Sequence, residues 1–375
     1  MNIKKLSIIF ILFSFLVSGC HHQKQDHSTK DSTLVLNEQL ALDFAHQIEN
    51  SVLNENPDFF NKAFDKDYIK AIIGEKNSIV ASAFDTQFGR EAFDNNFRYG
   101  DFAVNSIQQG GDVRFIKYYE KNGQHHIIFR IYNDFGLKID DFVLGVDKHN
   151  QVKIQDGFIY NMSTTLTDMV LYDLLYCTMM NTEPDDAANA LTKAEDLFNH
   201  KKYRQLRSFL DQNKKLLQNY PYYNFLYINT LNETSKNFIH ELERMQSNGL
   251  DIRCRLVHEL IYYTNMGSPD DLQNTILQLM NYTEEDPIYW VFYAKSLANA
   301  KQYQDAIAAY ENAEKAMPSI WDIWEGKLQC FYKMYDDNNF QNCLSQAKEK
   351  FDMTDSEVKD YVRAWYPRYI SPLRK

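Results

Sequence analysis

A chain of 375 residues with 51 acidic against 40 basic side chains has a formal charge of −11, and no Lys/Arg cluster stands out from it, which excludes nucleic-acid binding by charge. Hydrophobic residues at 44% beside 24% charged ones exclude wholesale disorder. The length calls for two domains, and only 13 Gly and 8 Pro favour long uninterrupted helices.

Lys4 and Lys5 precede an apolar run over residues 6 to 17, too short to span a bilayer comfortably and suited to the core of a signal peptide. The run ends in Val17-Ser18-Gly19-Cys20, an aliphatic residue, two small ones and a cysteine. This resembles the lipobox of bacterial lipoproteins. The resemblance implies a leader over residues 1–19, diacylation of the Cys20 thiol, cleavage before it, and a lipid-anchored membrane protein of the cell envelope. One acyl chain anchors marginally at roughly 0.8 kcal/mol per buried methylene, whereas two or three hold. Losing Lys4 and Lys5 leaves 38 basic against 51 acidic residues, a net −13. No acid follows Cys20 directly, which by resemblance to lipoprotein sorting in enteric bacteria points to the outer membrane, periplasmic side. Residues 20–35 are polar and aperiodic, a flexible tether with a reach of at most ~50 Å. His21, His22 and His27 in it read as solvated linker residues, and no metal or cofactor is expected.

Leu36, Leu40, Phe44, Ile48 and Val52 recur every four residues and predict an amphipathic helix that Asn56-Pro57-Asp58 breaks. A second helical stretch is expected through Phe59, Phe60, Phe64, Tyr68, Ile69 and Ile72, and a looser one over residues 80 to 97. From Asp112 the pattern becomes β. Lys121-Asn122-Gly123 joins two strand-like runs as a hairpin, Asp134-Phe135-Gly136 and Lys148-His149-Asn150 turn the chain again, and four antiparallel strands result. Helices followed by such a meander resemble the nuclear-transport-factor-2-like (cystatin-like) α+β cone, assigned here to residues 36–165. That resemblance rests on order and length. It implies either a non-catalytic module or, as the alternative, a small-molecule-binding or enzymatic pocket inside the cone, with a base and a hydroxyl donor drawn from His126, Asp140, Asp141, Tyr132 and Tyr160. Alternation sends neighbouring strand residues to opposite faces and leaves open whether base and donor meet.

Residues 166–375 read as all-α. Residues 166 to 180 have little polar face and are expected to be buried between the two domains. From Pro287, the residues Trp290, Ala294, Leu297, Tyr303, Ala306, Tyr310, Ala313 and Pro318 resemble the tetratricopeptide consensus in register, and steps of 34 place further units at 219, 253 and 321. The last unit is expected to carry a three-residue insertion near Asp336-Asp337-Asn338. Trp290, Tyr310 and Trp324 read as core residues of a tetratricopeptide-like solenoid. Thr354 and Glu357 have capping-box spacing for a closing helix. Cys330 and Cys343 read either as small buried thiols or as a disulfide across a hairpin. The resemblance implies a non-enzymatic interaction protein that binds a protein or peptide partner of the envelope on the concave face of the array, where Tyr289, Tyr293 and Ser296 are the candidate binding residues.

Replacing Cys20 by Ser is expected to move the protein from the membrane to the soluble fraction on cell fractionation; a variant that stays with the membrane refutes the lipid anchor.

Overall fold

The computed structural model describes residues 34 to 369, apart from 78, 79, 82, 83, 85, 134, 135, 182–185, 219, 235 and 236. The expected leader, Cys20 and the histidines of the expected tether lie outside the described residues. Val35–Lys375 forms one compact unit, with an antiparallel sheet and its helices first and a helix-rich region after it. No helix among the described residues is long and apolar enough to cross a membrane.

The first helix, Glu38–Leu53, starts where the Asn37 side chain accepts from the Leu40 amide at 3.0 Å. It buries Ala41, Phe44, Ala45, Ile48 and Val52, one stripe at the predicted spacing. The expected second helix is two pieces, Asp58–Asn61 and Lys66–Lys76. The break has a tertiary cause: Ile154 of the sheet donates its amide to Ala63 and accepts from Asp65, both at 2.8 Å, pulling residues 63 to 65 out of helical geometry. Gln87–Asn95 lies within the looser stretch, while Tyr99–Gln108 is a helix that the apolar periodicity did not reveal. Gly100 there lies so close to Pro57 that a Cβ would sit 2.1 Å from its carbonyl oxygen, so only glycine fits.

The sheet is a meander in the order β1 (Asp112–Lys121), β2 (Gln124–Asn133), β3 (Gly136–Val146), β4 (Val152–Ile159) and β5 (Thr164–Thr165). Asn122 and Gly123 both take positive φ at the β1–β2 hairpin, as an Asn-Gly turn requires. Among the described residues there are five strands rather than the expected four. The fifth arises because Ser163 adopts a left-handed conformation after the 3₁₀ turn Tyr160–Met162 and returns two threonines to pair with β4; two residues are too few to show alternation.

Alternation gives the sheet two buried faces. Ile127, Phe129, Ile131, Phe142 and Leu144 face the N-terminal helices, in a core with Phe44, Phe60, Phe64 and Phe97. Ile128, Tyr132, Leu137 and Ile139 belong to a second core shared with the C-terminal helices. The helix Leu166–Asn181 inserts Leu166, Val170, Leu171 and Leu174 into the first core while Tyr172 meets Tyr220 of the helical region at 5.3 Å.

The helical region runs through Asp186–Asn199, Tyr203–Gln212, Lys214–Leu217, Pro221–Thr234 and Phe238–Ser247 to three consecutive helix pairs. The pairs are Ile252–Met266 with Pro269–Thr283, Ile288–Asn299 with Tyr303–Ala316, and Trp321–Met334 with Asp337–Lys350. Their second helices begin at 269, 303 and 337, two steps of 34, so the last pair holds the register without the expected insertion. Phe340, Leu344 and Ala347 are buried as Ala306, Tyr310 and Ala313 are one step earlier. Gly326 admits the Tyr310 ring, which would lie 2.1 Å from a Cβ at that position. Thr354 and Glu357 form the capping box that opens Asp355–Trp365. Cys330 and Cys343 are buried free thiols, in line with the first of the two readings.

First helices of these pairs pack on the sheet through charge as well as apolar contact. Arg130 of β2 is completely buried; its Nε donates to Asp286 at 2.7 Å and one Nη to Asp112 at 2.5 Å. Lys295 bonds the Tyr132 hydroxyl at 2.8 Å and Asp322 at 2.5 Å, and Tyr132 donates to the same carboxylate. Arg253 reaches Asp141 at 3.2 Å.

Removing one member of a buried ion pair strands its partners. Arg130→Met is therefore expected to destabilise by about 3–5 kcal/mol in urea unfolding, with much of the loss recovered when Asp112→Asn and Asp286→Asn are added. A single substitution that costs under about 1 kcal/mol contradicts this account of the seam.

Candidate functional site

The three candidate binding residues share the helix Ile288–Asn299, opened by Asp286, whose carboxylate accepts from the Ile288 amide at 3.0 Å. The fold separates them. Ser296 is completely buried and donates to the Tyr263 carbonyl at 3.2 Å. Tyr289 is buried too, with its hydroxyl 2.5 Å from that of Thr283, and burial together with the Asp286 charge pushes its phenol up. Tyr293 is half-buried and meets Trp290 edge-on, ring centroids 6.3 Å apart. Ser296 is thus a helix-packing residue, while Tyr289 and Tyr293 line a groove.

That groove, about 230 Å³, runs between Pro269–Thr283 and Ile288–Asn299. Its apolar walls are Ile276, Leu277, Met280 and Trp290, and its polar edge is Gln273, Glu285 and Asp286. Leu277 is 56% and Trp290 40% exposed. Repeat position makes Trp290 a core residue, and the fold overturns that expectation: Tyr310 and Trp324 are buried, whereas Trp290 is exposed. Phe351 packs edge-on to Trp324 and the Lys327 ammonium sits over its ring. Thirty-four residues before Phe351 stands Met317, whose sulfur lies 3.8 Å from Arg130, drawn to the seam. Leu277 was not singled out in the sequence; an isolated leucine on an otherwise polar helix face is the one signal it leaves.

The candidate catalytic residues divide between the two faces of the sheet. Asp140 faces the N-terminal helices, where burial pushes its carboxyl up and Lys138, 2.9 Å away, partly offsets this. His126, Asp141, Tyr132 and Tyr160 lie on the side that faces the C-terminal helices. Asp141 accepts from Tyr119 at 2.5 Å, from His126 Nδ1 at 3.0 Å and from Arg253 at 3.2 Å. His126 stacks on Tyr119 at 4.5 Å, and the Arg253 guanidinium lies 3.9 Å over Phe158. A cleft of about 290 Å³ opens beside this cluster, lined by Lys117, Tyr119, Lys121, Tyr160 and Arg253. Asp141 is nearly sealed and spends both oxygens on fixed donors, which suits holding the seam together better than taking a proton from a substrate. Tyr132 is committed to Lys295 and Asp322 on a separate stretch of the seam. Among the described residues no group of three or more His, Cys, Asp or Glu side chains is placed to hold a metal ion.

Set against family models, curated proteins and solved structures, the chain matches none.

One seam histidine responds to pH. His258 of Ile252–Met266 donates from Nε2 to the Asn161 carbonyl at 3.2 Å, and burial lowers its pKa from 6.5 to about 4. Below pH 6.5 the unfolded chain takes up a proton that the folded chain refuses until about pH 4, so stability present at pH 7 falls as pH drops through this window, by about 3 kcal/mol in all. Urea midpoints measured from pH 7.5 to 4 should fall more steeply for the natural chain than for His258→Gln, and parallel curves would contradict the assignment.

Proposed function

We propose that this chain is a non-enzymatic, lipid-anchored protein of the cell envelope, held through Cys20, whose tetratricopeptide-like helices dock a protein or peptide segment in the groove beside Trp290. The reading extends to the nuclear-transport-factor-2-like cone for the N-terminal part and to the periplasmic side of the outer membrane. The observation that carries it is the groove: two large apolar side chains, Leu277 and Trp290, stand open to solvent across an apolar floor. Exposed apolar surface framed by polar residues marks interaction sites. The exposed Glu285 at one edge favours a segment that sets an apolar anchor beside a Lys or Arg.

Packing of the cone supports this reading over a catalytic or ligand-binding cone. Phe60 lies within 6.1 Å, centroid to centroid, of Phe64, Tyr99, Phe129 and Phe142. Rings so placed leave the interior occupied by side chains rather than by a substrate.

A photo-crosslinking residue at Leu277 in the lipidated protein is expected to capture a defined partner in cells, and one at Tyr335, exposed outside the groove, is not. Trp290→Ala should leave the melting temperature nearly unchanged and weaken that partner about 30-fold, the size of an aromatic hot spot near 2 kcal/mol. Equal capture at both positions, or unchanged affinity in Trp290→Ala, would overturn the reading.

A further inference from the structure

A second cleft, about 430 Å³ and larger than those above, lies between Pro221–Thr234, Phe238–Ser247 and the segment around Lys214. Its character is opposite to that of the Trp290 groove. Tyr223 and Tyr227 form its floor with rings stacked at 5.6 Å, and Lys214, Asn224, Arg244 and Asn248 stand around it. The floor is held rigidly: the Arg207 guanidinium lies 4.0 Å over Tyr227 and bonds Asp211 at 3.3 Å, and Arg244 bonds Glu241 at 2.8 Å. Three cations against two carboxylates leave this cleft positive within a chain of charge −11.

Several polar groups of the cleft have no protein partner among the described residues. The Tyr223 side chain is 5% exposed overall, and its hydroxyl, which makes no hydrogen bond among the described residues, is open to the cleft. The Asn224 amide and the Lys214 ammonium likewise make no hydrogen bond or ion pair among the described residues. Burial pushes the Tyr223 phenol up to about 12, so at neutral pH it keeps its proton and is a donor. An ammonium, a phenol donor and an amide with both donors and acceptors thus converge on one space, and the volume is that of a small-molecule site.

We infer that this cleft binds a hydroxylated ring bearing one anionic group, an acidic sugar unit. The anion pairs with Lys214 and Arg244, a hydroxyl or anion oxygen accepts from Tyr223, and ring hydroxyls exchange hydrogen bonds with Asn224 and Asn248. An apolar ligand is disfavoured because it would leave these groups desolvated and unpaired. The inference is independent of partner docking at Trp290, which lies on other helices.

Calorimetric titration of the full chain with glucuronate, glucose 6-phosphate and glucose tests it. One saturable site is expected for at least one of the two anions, with glucose at least tenfold weaker; the preferred anion tells carboxylate from phosphate. Tyr223→Phe removes a hydroxyl that bonds nothing among the described residues, so it should weaken binding about tenfold at an unchanged melting temperature, and Arg244→Gln should do the same for the anions alone. No saturable binding of either anion, glucose binding as tightly as they do, or undiminished binding by Tyr223→Phe would each overturn the assignment.

Discussion

A guanidinium with no access to water joins the two parts of this protein. Arg130 stands on the face of the sheet turned toward the helices and is shared by Asp112 from the neighbouring strand and Asp286 from the loop before Ile288–Asn299. A buried cation is tolerated only when its partners are fixed around it, so strand, loop and helix must arrive together. The apolar contacts beside it, Tyr132 against Phe292 among them, could slide; the charge pairs set the register.

Two-face burial of the sheet follows from this constraint. Residues at odd positions of β2 fill the core under the N-terminal helices, and those at even positions fill the seam. The central strands are covered on both faces, and the Asp141 cluster becomes part of the joint although it carries the residue types of an acid–base site. The helices that pack on the sheet give that surface to their own chain. What stays open is displaced elsewhere: an apolar groove with an acidic edge at Trp290, and a basic polar cleft at Tyr223. The two clefts are lined by different helices and differ in chemistry.

Much of the fold was legible in the residues because the responsible forces are local or periodic. The stripe from Ala41 to Val52 and the Asn-Gly hairpin need no knowledge of the rest of the chain, nor does the Thr354 capping box. The 34-residue step also survives in the second helices, which begin at 269, 303 and 337 and bury Leu272, Ala306 and Phe340 at the same position. Less legible were the features set by distant contacts: the break at residues 63 to 65 made by Ile154, the two-residue strand after Ser163, and the exposure of Trp290.

For the candidate sites the division is sharper. The sequence alone determined the residue types and their period: a lipobox-like Cys20, aromatic positions at a 34-residue step, and Tyr289, Tyr293 and Ser296 on one helix. Only the tertiary structure decided which of these meet solvent. It buried Ser296 and Tyr289, left Trp290 exposed, and split Asp140 from Asp141 across the sheet. The physical reason is that periodicity assigns a residue to a face, whereas burial depends on what another part of the chain sets against that face.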